Sequence, residues 1–356
     1  MKSILHIVGA RPQFVKLAPF FHVLQSEYEQ GIIHTGQHYD AEMSDFFFRD
    51  LDIPAPNHNL NIGSGKQGAQ TGQMLIELER VLECESPDLV IIYGDTNSTL
   101  AGALVSAKLG LPSIHVEAGL RSFNRSMPEE INRIVADHTC DYLFAPTQTA
   151  MDNLYGEGLL SKAFNTGDIM VDSIKEAVMR AERSSHILSE LCLTPDTYNL
   201  LTLHRPYNVD NPDKLLFILS ELNKLDEQVI FPVHPRTLSI LNQQRDNFFS
   251  LSNIRYINPQ GYLDFVLLEN HCKRILTDSG GIQKEAYVLK KPCVTLRTET
   301  EWVETVSEGW NLLLPPETES FHRQILTFQM PTSQNNVFGT DVAHKMRQLV
   351  DKLMQK

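Results

Sequence analysis

Three carboxylates stand just behind short apolar runs or in the turns that follow them: Asp95 in Tyr93-Gly94-Asp95-Thr96-Asn97, Glu117 in His115-Val116-Glu117-Ala118-Gly119, and Glu129 in Met127-Pro128-Glu129-Glu130. Carboxyl groups gathered in one cleft can be driven to different proton affinities, so that one serves as base and another as acid. Each also has a structural alternative: a helix cap for Asp95, and ion pairs with Arg121, Arg125 or Arg133 for the glutamates. Spacing alone leaves both readings open.

Cations recur at equivalent places. His204-Arg205-Pro206 and His234-Pro235-Arg236 each close an apolar run, and Gly9-Ala10-Arg11-Pro12 is followed by Lys16. Such groups suit a diphosphate or a proton transfer. In Thr277-Asp278-Ser279-Gly280-Gly281-Ile282-Gln283-Lys284-Glu285, Ser279 is placed to cap a helix, and the two glycines let backbone N–H groups face an anion. A Walker loop is excluded, because Gly65-Lys66 is followed by Gln67 and Leu60 stands where the leading glycine belongs. No G-x-G-x-x-G follows the first apolar run, so ATP-driven and NAD-dependent chemistries lose ground.

The elements that must hold these residues alternate in type. Short β-branched runs (Ser3–Val8, Gly31–His34, Asp88–Tyr93, Ser113–Val116, Tyr142–Ala145) are followed by helix-period segments (Arg11–Gln25, Glu42–Leu51, Ser98–Leu109). The alternation restarts with strands predicted at Tyr198–Leu203, Gln228–Val233, Ile254–Ile257, Arg274–Thr277 and Cys293–Leu296, and with helices at Pro212–Leu225 and Gly281–Leu289. Repeated βαβ units predict an α/β chain of two doubly wound, Rossmann-like lobes facing across a cleft. We expect an N-terminal lobe over 1–168 with the carboxylates and a C-terminal lobe over 169–335. A connecting helix is expected over Ser173–Leu191 and a closing one over Val342–Met354, the latter within a 336–356 segment packed back toward the first lobe.

The chain has 356 residues, 42% of them hydrophobic and 21% charged, the usage of a packed protein of two ordinary domains. Against 31 Lys and Arg stand 44 Asp and Glu, a formal net charge of −13 that argues against nucleic acid and anionic membranes as partners. No run approaches the length of a membrane span, and Met1–Val8 reads as a first strand and not a signal peptide. The five cysteines lack C-x-x-C pairs and ligand-spaced histidines, which predicts reduced thiols, no metal site and a cytoplasmic setting.

Taken together and in order, these segments resemble the non-hydrolysing UDP-N-acetylglucosamine 2-epimerases, whose fold is GT-B. Besides the motifs above, the resemblance rests on Thr35-Gly36-Gln37-His38, Leu120-Arg121, Pro128-Glu129-Glu130-Ile131-Asn132-Arg133, Leu203-His204-Arg205 and Pro232-Val233-His234. It implies inversion at C2 of a UDP-linked 2-acetamido sugar without a cofactor, by anti elimination of UDP to a 2-acetamidoglucal and re-addition. It further implies Asp95, Glu117 and Glu129 as acid/base carboxylates and His204 as a further catalytic group. Arg11, Gln260, Ser279, Gly280, Gly281 and Glu285 match UDP-holding positions; Lys16 lies near the sugar and Phe265 in the segment beside uracil. Arg205 and His234 complete the cationic wall, and a homodimer is implied.

Two departures stand out. Where members of the family commonly read Thr-Glu-Arg-Pro-Glu, with the arginine on phosphate, this chain has Thr300-Glu301-Trp302-Val303-Glu304; after His204-Arg205, Tyr207 replaces a usual Glu. The Thr-Glu-Trp form looks like the branch acting on UDP-2,3-diacetamido-2,3-dideoxy-glucuronate, a surface-polysaccharide precursor, with Trp302 as a buried packing residue the alternative. A GT-B glycosyltransferase, a UDP-releasing hydrolysing epimerase and a non-catalytic nucleotide-sugar sensor are the rival functions.

Overall fold

The computed structural model describes residues 1–37, 48 and 50–355, with Arg236 described by its backbone alone. His38 and most of the helix predicted over Glu42–Leu51 lie outside the described residues. The chain forms two compact units, one of Met1–Ser173 with Asn336–Lys356 and one of Ile174–Asn335.

In the first unit, β1 (Ser3–Val8) runs into α1 (Arg11–Leu24), and β2 (Glu29–His34), β3 (His58–Asn59) and α2 (Gln67–Glu85) follow. The alternation continues through β4 (Leu89–Tyr93), α3 (Asn97–Leu109), β5 (Ser113–Val116), α4 (Pro128–Thr139), β6 (Tyr142–Ala145), α5 (Gln148–Gly156) and β7 (Ala163–Asn165). The strands make one parallel sheet in the order β3-β2-β1-β4-β5-β6-β7. Helices cover both faces of such a sheet, so central strands are apolar throughout and not alternating. β4, Leu-Val-Ile-Ile-Tyr, is buried at every position. α3 stops at Gly110, whose φ of 69° is the left-handed cap that glycine adopts without strain.

α6 (Met170–Ser184) leads into the second unit. It ends earlier than the predicted Ser173–Leu191, and a separate turn of helix covers Ile187–Glu190. Ser185 Oγ donates to Asp264 Oδ1 at 2.5 Å and accepts weakly from the Ile187 N–H at 3.3 Å, so a local side-chain bond competes with continued helix. β8 (Tyr198–Thr202), α7 (Pro212–Leu222), β9 (Gln228–Pro232), β10 (Ile254–Ile257) and α8 (Tyr262–His271) come next. They are followed by β11 (Arg274–Thr277), α9 (Gly280–Val288), β12 (Cys293–Thr295) and β13 (Asn311–Leu313), again one parallel sheet, ordered β10-β9-β8-β11-β12-β13. The core on one face gathers Leu201, Phe231, Phe248 and Phe321; that on the other gathers Tyr198, Leu268, Ile275 and Ala286.

The chain then returns to the first unit, where α10 (Val342–Met354) lies against α1. The Ala343 N–H at its start donates to Asp172 Oδ2 (2.7 Å), and Lys2 Nζ bonds the carbonyl of Met354 at its end. Among the described residues no helix is long and apolar enough to cross a membrane.

Two packing details lead to tests. A Cβ on Gly9 would stand 2.1 Å from both Ser98 Oγ and Thr35 Oγ1, which hydrogen bond to each other at 2.8 Å. Gly9→Ala is therefore expected to cost about 1–3 kcal/mol by overpacking, read as a lower urea midpoint at unchanged slope; an unchanged midpoint would show the pair yields freely. Glu269 of α8 is fully buried, neither of its oxygens meets a donor, and its neighbour on α9 is another carboxyl, Glu285. Burial first, then Glu285, push the Glu269 carboxyl well above its ordinary value. The folded protein thus binds this proton more tightly than the unfolded chain. The stability involved is present below the unfolded value and declines as pH rises through the folded one. Glu269→Gln should accordingly flatten the loss of stability as pH rises above the ordinary carboxylate range in urea titrations, and a variant as pH-sensitive as the parent would remove Glu269 as the cause.

Candidate active site

The order of the first sheet reverses between β1 and β4, so the turns leaving these strands diverge and open a crevice at their carboxyl ends. Gln13, buried in α1, braces it. Its Oε1 accepts from the Gly9 N–H (2.7 Å) and the Ala10 N–H (3.0 Å), while its Nε2 donates to the Tyr93 carbonyl (2.6 Å) and to Thr99 Oγ1 (3.0 Å). Those two N–H groups are consumed within the chain. What the turn offers an anion is its cations, exposed Arg11 and buried Lys16.

Lys16 forms an ion pair with Glu117, and both reach the space beside Gly94. A Cβ on Gly94 would lie 3.4 Å from Lys16 Nζ and 3.5 Å from Glu117 Oε2. Glu117 has a φ of 74°, a strained conformation for a residue with a side chain, and the Phe144 carbonyl fixes it by accepting from its N–H at 3.1 Å. Asp95, next to Gly94, pairs with Arg133 of α4, and Asn132 Nδ2 donates to the Asp95 carbonyl at 2.9 Å. Thr96 and not Asp95 occupies the helix-cap position, so the cap expected as the alternative for Asp95 is not formed. Of the four predicted residues of this unit, Lys16 and Glu117 meet in an ion pair; Asp95 pairs with Arg133, whose charge also acts on Glu117; Glu129 stands exposed in the first turn of α4.

Its neighbour Glu130 turns inward and was not singled out by spacing. Burial pushes the Glu130 carboxyl up, but the Ser122 N–H (2.8 Å), the Ser122 hydroxyl (2.9 Å), the Phe123 N–H (2.9 Å) and Arg133 (3.1 Å) outweigh it and hold the group below its usual range. Arg133 thereby links Asp95 to the backbone of the 122–123 turn. Beneath lies a second unforeseen network: His115 Nδ1 faces Asp137 Oδ1 at 2.7 Å, and its Nε2 faces the Gly94 carbonyl at 2.7 Å. Asp137 also takes the Gly119 N–H (3.0 Å) and Arg121 (2.7 Å), and Arg121 makes a two-pronged pair with Glu157. Burial raises the Asp137 carboxyl, yet His115 and Arg121 together bring it below its ordinary value.

In the second sheet the reversal falls between β8 and β11. Asp278, just past β11 and wholly buried, gathers the turn after β8: it accepts from the His204 N–H (3.1 Å), the Arg205 N–H (3.1 Å) and Asn208 Nδ2 (3.1 Å), and faces His204 Nδ1 at 3.0 Å. Ser279 takes the N-cap position of α9 without a side-chain cap bond, which corrects its predicted capping role. Its own N–H is turned to Thr277 Oγ1 (3.0 Å), and Gly280 and Gly281 open the helix. Glu285 lies in the next turn. Phe265 of α8 packs in the same apolar cluster as Ile282 of α9. Gln260 lines a pocket of about 460 Å³ with Val233, Leu238, Phe249 and Tyr256, and His234 is exposed at the end of β9.

Trp302 is buried, as its packing alternative predicts, but it is also paired with a charge: the Lys284 ammonium sits 4.1 Å from the centre of its ring. A cation close to an aromatic face is held electrostatically. The cation expected to be missing at Trp302 thus has a counterpart five residues after Ser279, which no local spacing signalled.

A family model described as UDP-N-acetylglucosamine 2-epimerase matches residues 23–347. The chain is 52% identical over 342 residues to a "UDP-N-acetylglucosamine 2-epimerase homolog" of Methanococcus maripaludis, covering 95% of this chain and 96% of that one. It is 46% identical over 320 residues to the UDP-2,3-diacetamido-2,3-dideoxy-D-glucuronate 2-epimerase of Pseudomonas aeruginosa, covering 88% of each. The crystal structure of the Methanocaldococcus jannaschii UDP-GlcNAc 2-epimerase in complex with UDP-GlcNAc and UDP matches 100% of both chains at 43% identity, with a TM-score of 0.86. With the ordered motifs and the twice-repeated sheet, these likenesses show that the chain belongs to the UDP-N-acetylglucosamine 2-epimerase family.

Proposed function

We propose that this protein inverts C2 of a UDP-linked 2-acetamido sugar by eliminating UDP and adding it back. The observation that supports the reading is the placing of Asp95 and Glu117 just behind two adjacent strands, each paired with a cation of its own. In the elimination a carboxylate takes the C2 proton, the C2–H electron pair becomes the C1=C2 double bond, and the C1–O pair leaves with UDP. Re-addition reverses these steps with the proton delivered to the other face. Asp95, Glu117 and Glu129 are assigned as the proton-handling carboxylates, and Lys16 as the cation paired with Glu117.

The departing diphosphate needs positive charge in place before the bond breaks. Arg11, Arg205, His204 and the N-terminus of α9 at Ser279, Gly280 and Gly281 are assigned to it, with Gln260, Phe265, Glu285 and His234 holding the rest of the nucleotide. A homodimer and a cytoplasmic location go with this reading.

A second observation favours a carboxylated sugar. Lys284 on the face of Trp302 places a cation in the anion-binding helix itself, and the Pseudomonas aeruginosa relative is named for a diacetamido-glucuronate. We therefore assign UDP-2,3-diacetamido-2,3-dideoxy-glucuronate as the preferred substrate over UDP-N-acetylglucosamine.

Incubation of each sugar nucleotide in heavy water should give deuterium at C2 and the manno isomer without loss of UDP. Transfer to an acceptor would make the protein a glycosyltransferase, accumulation of free UDP a hydrolysing epimerase, and binding without exchange a sensor. Asp95→Asn should lower turnover by at least about 10²-fold while UDP affinity, measured by calorimetry, stays within twofold; retained turnover would remove Asp95 from the chemistry. Lys284→Met should lower kcat/KM for the uronate about tenfold or more relative to the uncharged sugar, the scale of one charge-assisted hydrogen bond. An equal fall for both substrates would refute the specificity assignment.

A further inference from the structure

Asp278 carries no assigned role, yet it is the most heavily used carboxylate of the second unit. Fully buried, it accepts from two backbone N–H groups and one side-chain amide, and it faces the ring of His204. An ionised carboxylate can only accept, so the His204 nitrogen facing it, Nδ1, must carry hydrogen. The other nitrogen, Nε2, is then the one turned away, on a side chain still 51% exposed.

The hold on the ring is unusually well determined. β8 and β11 pair in register at Thr202 and Thr277, whose hydroxyls bond each other at 2.6 Å, so the residues that follow the two strands start from fixed places. Asp278 Oδ1 accepts from the backbone N–H of His204 (3.1 Å) and stands 3.0 Å from its Nδ1; Oδ2 accepts from the Arg205 N–H and Asn208 Nδ2. Asn208 Nδ2 in turn donates to the Leu296 carbonyl at 3.1 Å. The backbone of His204 is therefore held by one buried acceptor, and its ring nitrogen Nδ1 faces the same carboxylate.

We propose that Asp278 is a positioning residue for the reaction: it fixes His204 in the Nδ1–H form and presents Nε2, opposite, to the diphosphate of the bound nucleotide. A second proton on Nε2 makes the ring a donor at both ends, one toward Asp278 and one to a phosphate oxygen. Charge that grows on the diphosphate as the C1–O bond breaks is then met by a donor whose orientation is already set. The inference rests on the epimerase reading for the identity of the ligand, though not for the state of the ring.

Two measurements keep those apart. Long-range proton–nitrogen NMR on protein labelled with 15N histidine, with the His204 signal assigned by its loss in His204→Gln, should show hydrogen on Nδ1 in the free enzyme and on both nitrogens when UDP is added. A ring protonated only at Nε2 would overturn the proposal whatever the protein's activity. In C2-exchange assays Asp278→Asn should lower kcat by about 10²-fold, the lower end of what one proton-handling group contributes, with KM changed less than threefold. Combined with His204→Gln, it should add less than threefold to the loss caused by His204→Gln alone. Full additivity in the double variant would show that Asp278 acts on stability and not through His204. If the parent enzyme itself fails to exchange C2, the epimerase reading falls while the NMR result still decides the state of His204.

Discussion

The first unit's site depends on one buried ring. His115 lies between the Asp137 carboxylate and the Gly94 carbonyl, both acceptors at 2.7 Å, an arrangement that only the doubly protonated ring satisfies. Through it α4 is tied to the turn behind β4, and the same Asp137 reaches the Gly119 N–H in the turn behind β5. Since Asp95 and Glu117 hang from these two turns, their separation is set by a bonded network and not by loop preference. A buried charge that loses its partner is costly, so the network holds as a unit or fails as one.

Much of this was legible in the chain. Apolar runs bounded by turn residues marked the parallel strands, and ligands of such sheets bind behind the carboxyl ends, so the informative segments could be located without knowing what touches what. Asp95, Glu117 and Lys16 were found that way. Glu130 was not, because consecutive residues at a helix start point about 100° apart, and only the packed fold says which one turns inward. Asp278, Asp137 and Lys284 escaped for a related reason: their partners lie 73 and 74, 22, and 18 positions away in the chain. Nothing local encodes such a pairing.

The net charge of −13 illustrates the same distinction between total and place. Lys16 is matched to Glu117, Arg133 to Asp95 and Glu130, Arg121 to Asp137 and Glu157. These cations do not lower the repulsion felt by a distant polyanion. They do prepare a locally balanced group of charges that a small dianion can rearrange.

The two units make the comparison internal to the molecule. Each reverses strand order between its first and fourth core strands, and each places an aspartate just past the fourth: Asp95 after β4 and Asp278 after β11. The one behind Gly94 has a side chain 32% exposed and pairs with Arg133; the other is 0% exposed and accepts from neighbouring N–H groups. A carboxylate surrounded by N–H donors orders the turn that supplies them, since losing it would leave those donors unsatisfied. The same topological position therefore holds a part-exposed ion pair in one sheet and a buried carboxylate ringed by N–H donors in the other, and the difference follows from which groups the adjacent turn turns toward it.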